Sequence, residues 1–305
     1  MRRLVFFVLA LLPVWLVTAC FVYLLVFTDF PQRLYIGSLM NIYFECVDVV
    51  DADYIYKMKP GRCALSNIEY STILTHDITG FRNQNGKFLG NSVVVLGDSH
   101  SHGFGVEDRQ TFAHLLAEEF GHSTRNLAIG SYATLRELEV LKAYTQGETS
   151  VVLQYCDNDY RENVRAKETS LSKFSAQARQ IWSGAARSYS ENKRQGVEAP
   201  LRYALHLLGN LDVVSRSQFY STGEQRSVEA EAEAFATLVA RYKSVLREKR
   251  FVVFESSGYG RNSKSFQFEF TKALQRHNIG FDFRILDSTK FLGRGEYYFL
   301  DGHLT

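Results

Sequence analysis

Ser99 sits in the run Val94-Val95-Leu96-Gly97-Asp98-Ser99-His100-Ser101-His102-Gly103. An apolar strand followed by glycine and a serine delivers a hydroxyl to the carboxyl end of a sheet, where open α/β folds place reactive groups. Gly97 permits the tight turn that would present the side chain. A serine there becomes a nucleophile only with a base to take its proton and donors to hold a developing oxyanion. His303 in Asp301-Gly302-His303-Leu304-Thr305 supplies a base, and Asp301 a carboxylate to orient it. Asn126-Leu127-Ala128-Ile129-Gly130 and Cys156-Asp157-Asn158-Asp159 close two further strand patterns and offer Gly130 and Asn158.

Bland readings of the same residues stay open. Asp98 can simply brace the turn, Gly130 can allow close packing, and Asn158 can cap a helix, as Asp157 and Asp159 also can. His100 and His102 lack partners at metal-ligand spacing, so no metal and no cofactor is expected. His114, His122 and His206 read as ordinary surface or core residues, and Cys156 as a buried small hydrophobe.

Taken together, these blocks resemble the serine, glycine, asparagine and histidine blocks of the SGNH (GDSL-type) esterases and acyltransferases. The resemblance covers residues 91–160 and 281–305, in the family's order. It implies Ser99 as nucleophile, His303 and Asp301 as its partners, and an oxyanion hole from the N–H groups of Ser99 and Gly130 with the Asn158 amide. Two departures stand out. One residue separates Asp301 from His303 where many members have two, a spacing found in members that resemble alginate-type O-acetyltransferases. Members also continue past this block with a covering helix, whereas the chain ends at Thr305, so either the sequence is truncated or that element is missing.

The elements that must position these residues follow from hydrophobic periodicity. Residues 92–96, 124–129, 150–155, 251–255 and 281–286 read as strands, with helices at 111–120, 134–144, 228–246 and 266–276 between them. This alternation predicts a three-layer α/β/α domain with a mostly parallel sheet, of the SGNH or flavodoxin-like kind, over residues 91–305. A helical insertion at 161–250 reads as a solvated lid or a partner surface. Residues 29–90 read as a small β-rich stalk or cap, with a strand-like piece at 41–44 and turns at Pro60-Gly61, Thr79-Gly80 and Asn85-Gly86. Its aromatic residues Tyr43, Phe44, Tyr54, Tyr56, Tyr70 and Phe81 need a place to be buried. Cys46 and Cys63 are open to pairing in an oxidising compartment, although spacing gives no distance between them.

Residues 4–27 are 24 positions without a charge, preceded by Arg2 and Arg3 and followed by Asp29. As a helix they would span about 36 Å, enough for a bilayer. The positive-inside bias predicts a single-pass anchor at 1–28 with a cytoplasmic N-terminus and a periplasmic catalytic domain. A cleaved signal peptide and lipidation of Cys20 after Val17-Thr18-Ala19 are the competing readings. A charge of +2 from 35 basic and 33 acidic residues argues against nucleic acid. The expected partner is an acylated envelope carbohydrate or another ester. The expected reaction is hydrolysis, with O-acetyl transfer to an exported polysaccharide, or a non-catalytic anchored binding module, as alternatives.

Overall fold

The structure, a computed structural model, describes residues 2–27, 43, 45–67, 69–82, 92–121, 123–145, 147–194, 227–298 and 303–305. The Asn85-Gly86 turn, His122, His206, much of the insertion and Asp301 lie outside the described residues.

Helix α1 (Arg2–Phe27) runs through the apolar segment and carries Pro13 inside it. Its side chains are described for residues 11–24, and all of these are exposed. Among the described residues no helix is long and apolar enough to cross a membrane.

Strands β1 (Val47–Val49) and β2 (Tyr56–Met58) pair antiparallel, as do β3 (Gly61–Ser66) and β4 (Ser71–His76). Tyr43, within the stretch expected as a strand, is instead helical, as are Glu45 and Cys46 just after it. Cys46 and Cys63 form a disulfide with their Cα atoms 5.9 Å apart. The buried Tyr43, Ile55, Tyr56, Met58, Leu65, Leu74 and Phe81 belong to the same apolar cluster as Val94, Leu96, Ile129 and Leu135. Tyr43, Tyr56, Tyr70 and Phe81 are therefore buried against the α/β core, while Phe44 lies outside the described residues.

The core sheet has five parallel strands in the order β6-β5-β7-β8-β9. These are β5 (Ser92–Leu96), β6 (Ser123–Asn126), β7 (Ser150–Tyr155), β8 (Arg250–Glu255) and β9 (Phe283–Leu286). Every residue of β5 is buried, as its near-continuous valine run requires of a strand covered on both faces. Between the strands lie α2 (Ser99–His102), α3 (Phe112–Phe120), α4 (Thr134–Tyr144), α5 (Asp159–Glu168), α6 (Leu171–Arg194), α7 (Val228–Arg241), α8 (Lys243–Leu246) and α9 (Phe266–Arg276). Helices α4, α5 and α9 each pack on α7, whereas α3 packs beside β6.

Some elements are shorter than their periodicity suggests. The 228–246 helix breaks at Tyr242, whose φ of −104° and ψ of 14° lie outside the helical range. Strand β6 stops at Asn126, whose side chain accepts from the Ala128 N–H at 3.1 Å. The strand order reverses direction between β5 and β7, so the carboxyl ends of these two strands form the crevice that open α/β sheets use for ligands.

Candidate active site

The turn that carries Ser99 is built by its neighbours. Gly97 has φ of +148°, and a Cβ there would lie 2.6 Å from Gln154 Oε1 and 2.8 Å from Ser101 Oγ. Only glycine fits both the backbone and the space. Asp98 caps α2 by accepting the His100 N–H at 3.0 Å. Gln154, buried on β7, accepts from the backbone N–H groups of Asp98 (3.2 Å) and Ser101 (3.3 Å). Its amide donates to the Ser256 carbonyl at 3.2 Å. From β6, Asn126 donates to the Ser101 carbonyl at 2.9 Å. The nucleophile turn is thus fixed from both adjacent strands, and Ser99 itself stays partly exposed.

His303 Nε2 and Ser99 Oγ lie 2.7 Å apart. The backbone of His303 is tied by the Tyr298 N–H to its carbonyl at 2.8 Å, and Leu304 bridges to Tyr297. Its ring packs against Phe104 and His100, with centroids 5.2 and 5.0 Å away. No description of Asp301 accompanies this pair, since it falls outside the described residues.

Asn158 is exposed and occupies the N-cap position of α5 without making a cap hydrogen bond. Its amide instead donates to Asp98 Oδ2 at 3.4 Å. Asp98 is therefore more than a brace for the turn. Burial raises its carboxyl pKa, opposed by the His100 N–H, the charge of His303 and the Asn158 amide.

Gly130 reaches the same crevice, and a Cβ on it would meet Phe104 Cζ at 2.7 Å. The sequence leads one to expect its N–H to be a free oxyanion donor. At rest it points at His102 Nδ1, 3.4 Å away, because this buried imidazole offers a lone pair to an amide that water does not reach. His102 is joined through Nε2 to His76 Nε2 of β4 at 3.0 Å. Burial lowers the pKa of both rings, so both are neutral.

Several polar residues around the crevice escape the sequence reading. Gln154 alone had a signal, as a lone amide in the apolar run Val151-Val152-Leu153-Gln154-Tyr155. Asp98, His100 and Cys156 each bring one potential metal-ligating atom within 4.8 Å of the others. Burial, followed by the charges of Asp98, Asp157 and Asp159, pushes the Cys156 thiol up. Glu137 and Asp159 are also buried; burial and then Asp98 raise the Glu137 carboxyl, and burial and then Glu137 and Asp98 raise that of Asp159.

No protein-family model and no curated protein matches the chain. Solved structures similar to it include the following two. One is a psychrotrophic esterase, EstA, from Pseudoalteromonas sp., inhibited by monoethylphosphonate. It is 12% identical over 66% of this chain and 80% of that one, with a TM-score of 0.34. The other, TesA, is 11% identical over 61% of this chain and 69% of that one, with a TM-score of 0.28. Nothing about the site follows from likenesses this remote.

Proposed function

We propose that the chain is a serine-dependent ester hydrolase of the SGNH type, and the 2.7 Å contact between Ser99 Oγ and His303 Nε2 carries this reading. His303 takes the hydroxyl proton as Oγ attacks the ester carbonyl, and returns it to the leaving alkoxide. Water then attacks the acyl-serine by the same route, releasing the acid and restoring Ser99. The Ser99 N–H and the Asn158 amide face the developing oxyanion, joined by the Gly130 N–H once it turns from His102. Asp301 is assigned the orientation of His303, as the family resemblance implies.

The acyl group is assigned to an envelope carbohydrate, with α1 as a membrane anchor and the remaining chain outside the cytoplasm. The charge-free run at 4–27 and the Cys46–Cys63 disulfide, a bond of oxidising compartments, support that location.

The test uses the full-length chain with p-nitrophenyl acetate, beside Ser99→Ala. Turnover that vanishes in Ser99→Ala, with fluorophosphonate labelling of Ser99, is the expected result. Absence of both in the wild type would leave a non-catalytic binding module. O-acetyl transfer is separated from hydrolysis by whether an added glycan gains acetyl mass or free acetate is released.

A further inference from the structure

The loop that follows α2 ties Ser99 to His303 by a second route. The Ser99 carbonyl accepts from the N–H groups of Gly103 and Phe104, both at 3.0 Å. Phe104 is buried and lays its ring against that of His303. One residue on, the Gly105 carbonyl accepts from the Tyr298 hydroxyl at 2.8 Å. The Tyr298 N–H in turn donates to the His303 carbonyl at 2.8 Å. A closed circuit therefore runs from Ser99 through the loop and Tyr298 to His303, and back through the Oγ–Nε2 contact.

The loop end of this circuit is braced by Arg82. Its buried guanidinium donates through Nη1 to the carbonyls of His102 (2.9 Å) and Gly103 (2.6 Å), and through Nη2 to that of Val106 (2.7 Å). Its Nε donates to Asp108 Oδ1 at 2.7 Å, and the same oxygen accepts the Thr75 N–H of β4 at 3.2 Å. A planar fork with donors in fixed directions suits such a set of acceptors. Gly105 has φ of +82°, and a Cβ on it would stand 2.5 Å from Tyr298 Cε2 and 3.2 Å from Tyr70 Cδ1. The Tyr298 ring thus sits directly on the loop backbone, beside the Tyr70 ring with centroids 4.9 Å apart.

His303 follows no strand of the sheet, and its segment is held by the single bridge between Tyr297 and Leu304. A general base works only within hydrogen-bond reach of the proton that it takes, so the place of this segment decides the rate. We infer that Tyr298 is a positioning residue for the ester reaction, its hydroxyl anchoring the His303 segment to the Arg82-braced loop so that Nε2 stays within reach of Ser99 Oγ. The inference rests on the hydrolase reading above.

Tyr298→Phe removes only the hydroxyl and keeps the ring against Gly105 and Tyr70. In the full-length chain, kcat for p-nitrophenyl acetate and the rate of fluorophosphonate labelling should fall about tenfold, with KM within twofold. That is part of the roughly 10²-fold cost of misplacing a reacting group by about 1 Å. In a His303→Ala background the same substitution should change residual labelling by less than about twofold, because the group that it positions is gone. Tyr54→Phe is the control, because its hydroxyl meets that of Tyr144 at 3.1 Å instead of the loop, and its kcat should not change. Unchanged kcat in Tyr298→Phe overturns the inference. So does a further tenfold fall in the His303→Ala background, or an equal fall in Tyr54→Phe, since either would mark a general loss of structure. If the wild type neither turns over nor labels, the hydrolase reading fails and takes this inference with it. An active wild type with an unaffected Tyr298→Phe rejects the inference alone.

Discussion

Ser99 and His303 are separated by 204 positions in the chain, yet their side chains meet at 2.7 Å. The two arrive by independent routes, one from the end of β5 and the other from a C-terminal segment that folds back on itself through the Tyr298 N–H and the Thr305 N–H. Replacing either partner should leave the fold intact and remove the chemistry. His303→Ala is expected to lower kcat by about 10³-fold or more while the circular dichroism spectrum is unchanged. Activity within tenfold of the wild type would assign the proton transfer to another group.

Gln154→Leu preserves bulk but strips the acceptor from two buried amides, those of Asp98 and Ser101. An orphaned buried donor costs about 1–3 kcal/mol, so a loss of roughly 2–4 kcal/mol is expected in urea unfolding. A midpoint equal to that of the wild type would show that the turn does not depend on this amide.

The disulfide closes a separation of 17 residues. In the loop-entropy picture its removal destabilises the chain by about 3 kcal/mol. Cys46→Ala with Cys63→Ala, or reduction verified by thiol counting, should lower the melting temperature. Reduced protein that melts like the oxidised form would refute this.

Acid should destabilise the hairpin that carries His76. Burial, followed by the Arg82 charge, lowers its pKa from 6.5 to about 4 in the folded chain. The unfolded chain therefore binds more protons between these values, and stability falls as pH drops from about 6.5 towards 4. Below that window the cost reaches roughly 3 kcal/mol for this one ring. Removing the titratable ring in His76→Gln should lessen the slope across that window, leaving the part due to the likewise depressed His102, as read from unfolding at a series of pH values. An equally steep loss in the variant would place its origin elsewhere.

What the sequence made legible is what obeys a period. The valine run of β5 and the stripe of Phe266, Phe270, Ala273 and Leu274 on α9 read directly as a buried strand and an amphipathic helix. The family-like blocks likewise led to Ser99 and His303, whose side chains meet. The Gly130 N–H bonded to His102, the Tyr43 and Tyr56 hydroxyls on the Gly130 carbonyl and the helical state of Tyr43 left no such trace. Each depends on contacts between residues tens of positions apart, and no local spacing encodes them. Tyr242 shows the same limit in reverse, since the apolar pattern continues through the point where the helix breaks.

The shared core of residues 43–82 and the parallel sheet also bears on how the protein can be divided. A fragment starting at Ser92 would keep every strand of the sheet and both His303 and Ser99. It would nevertheless uncover the apolar surface on which Ile55, Met58, Leu65 and Phe81 rest. Such a fragment would be sticky and poorly soluble, so a shortened version for crystallisation or assay has to begin upstream of Tyr43.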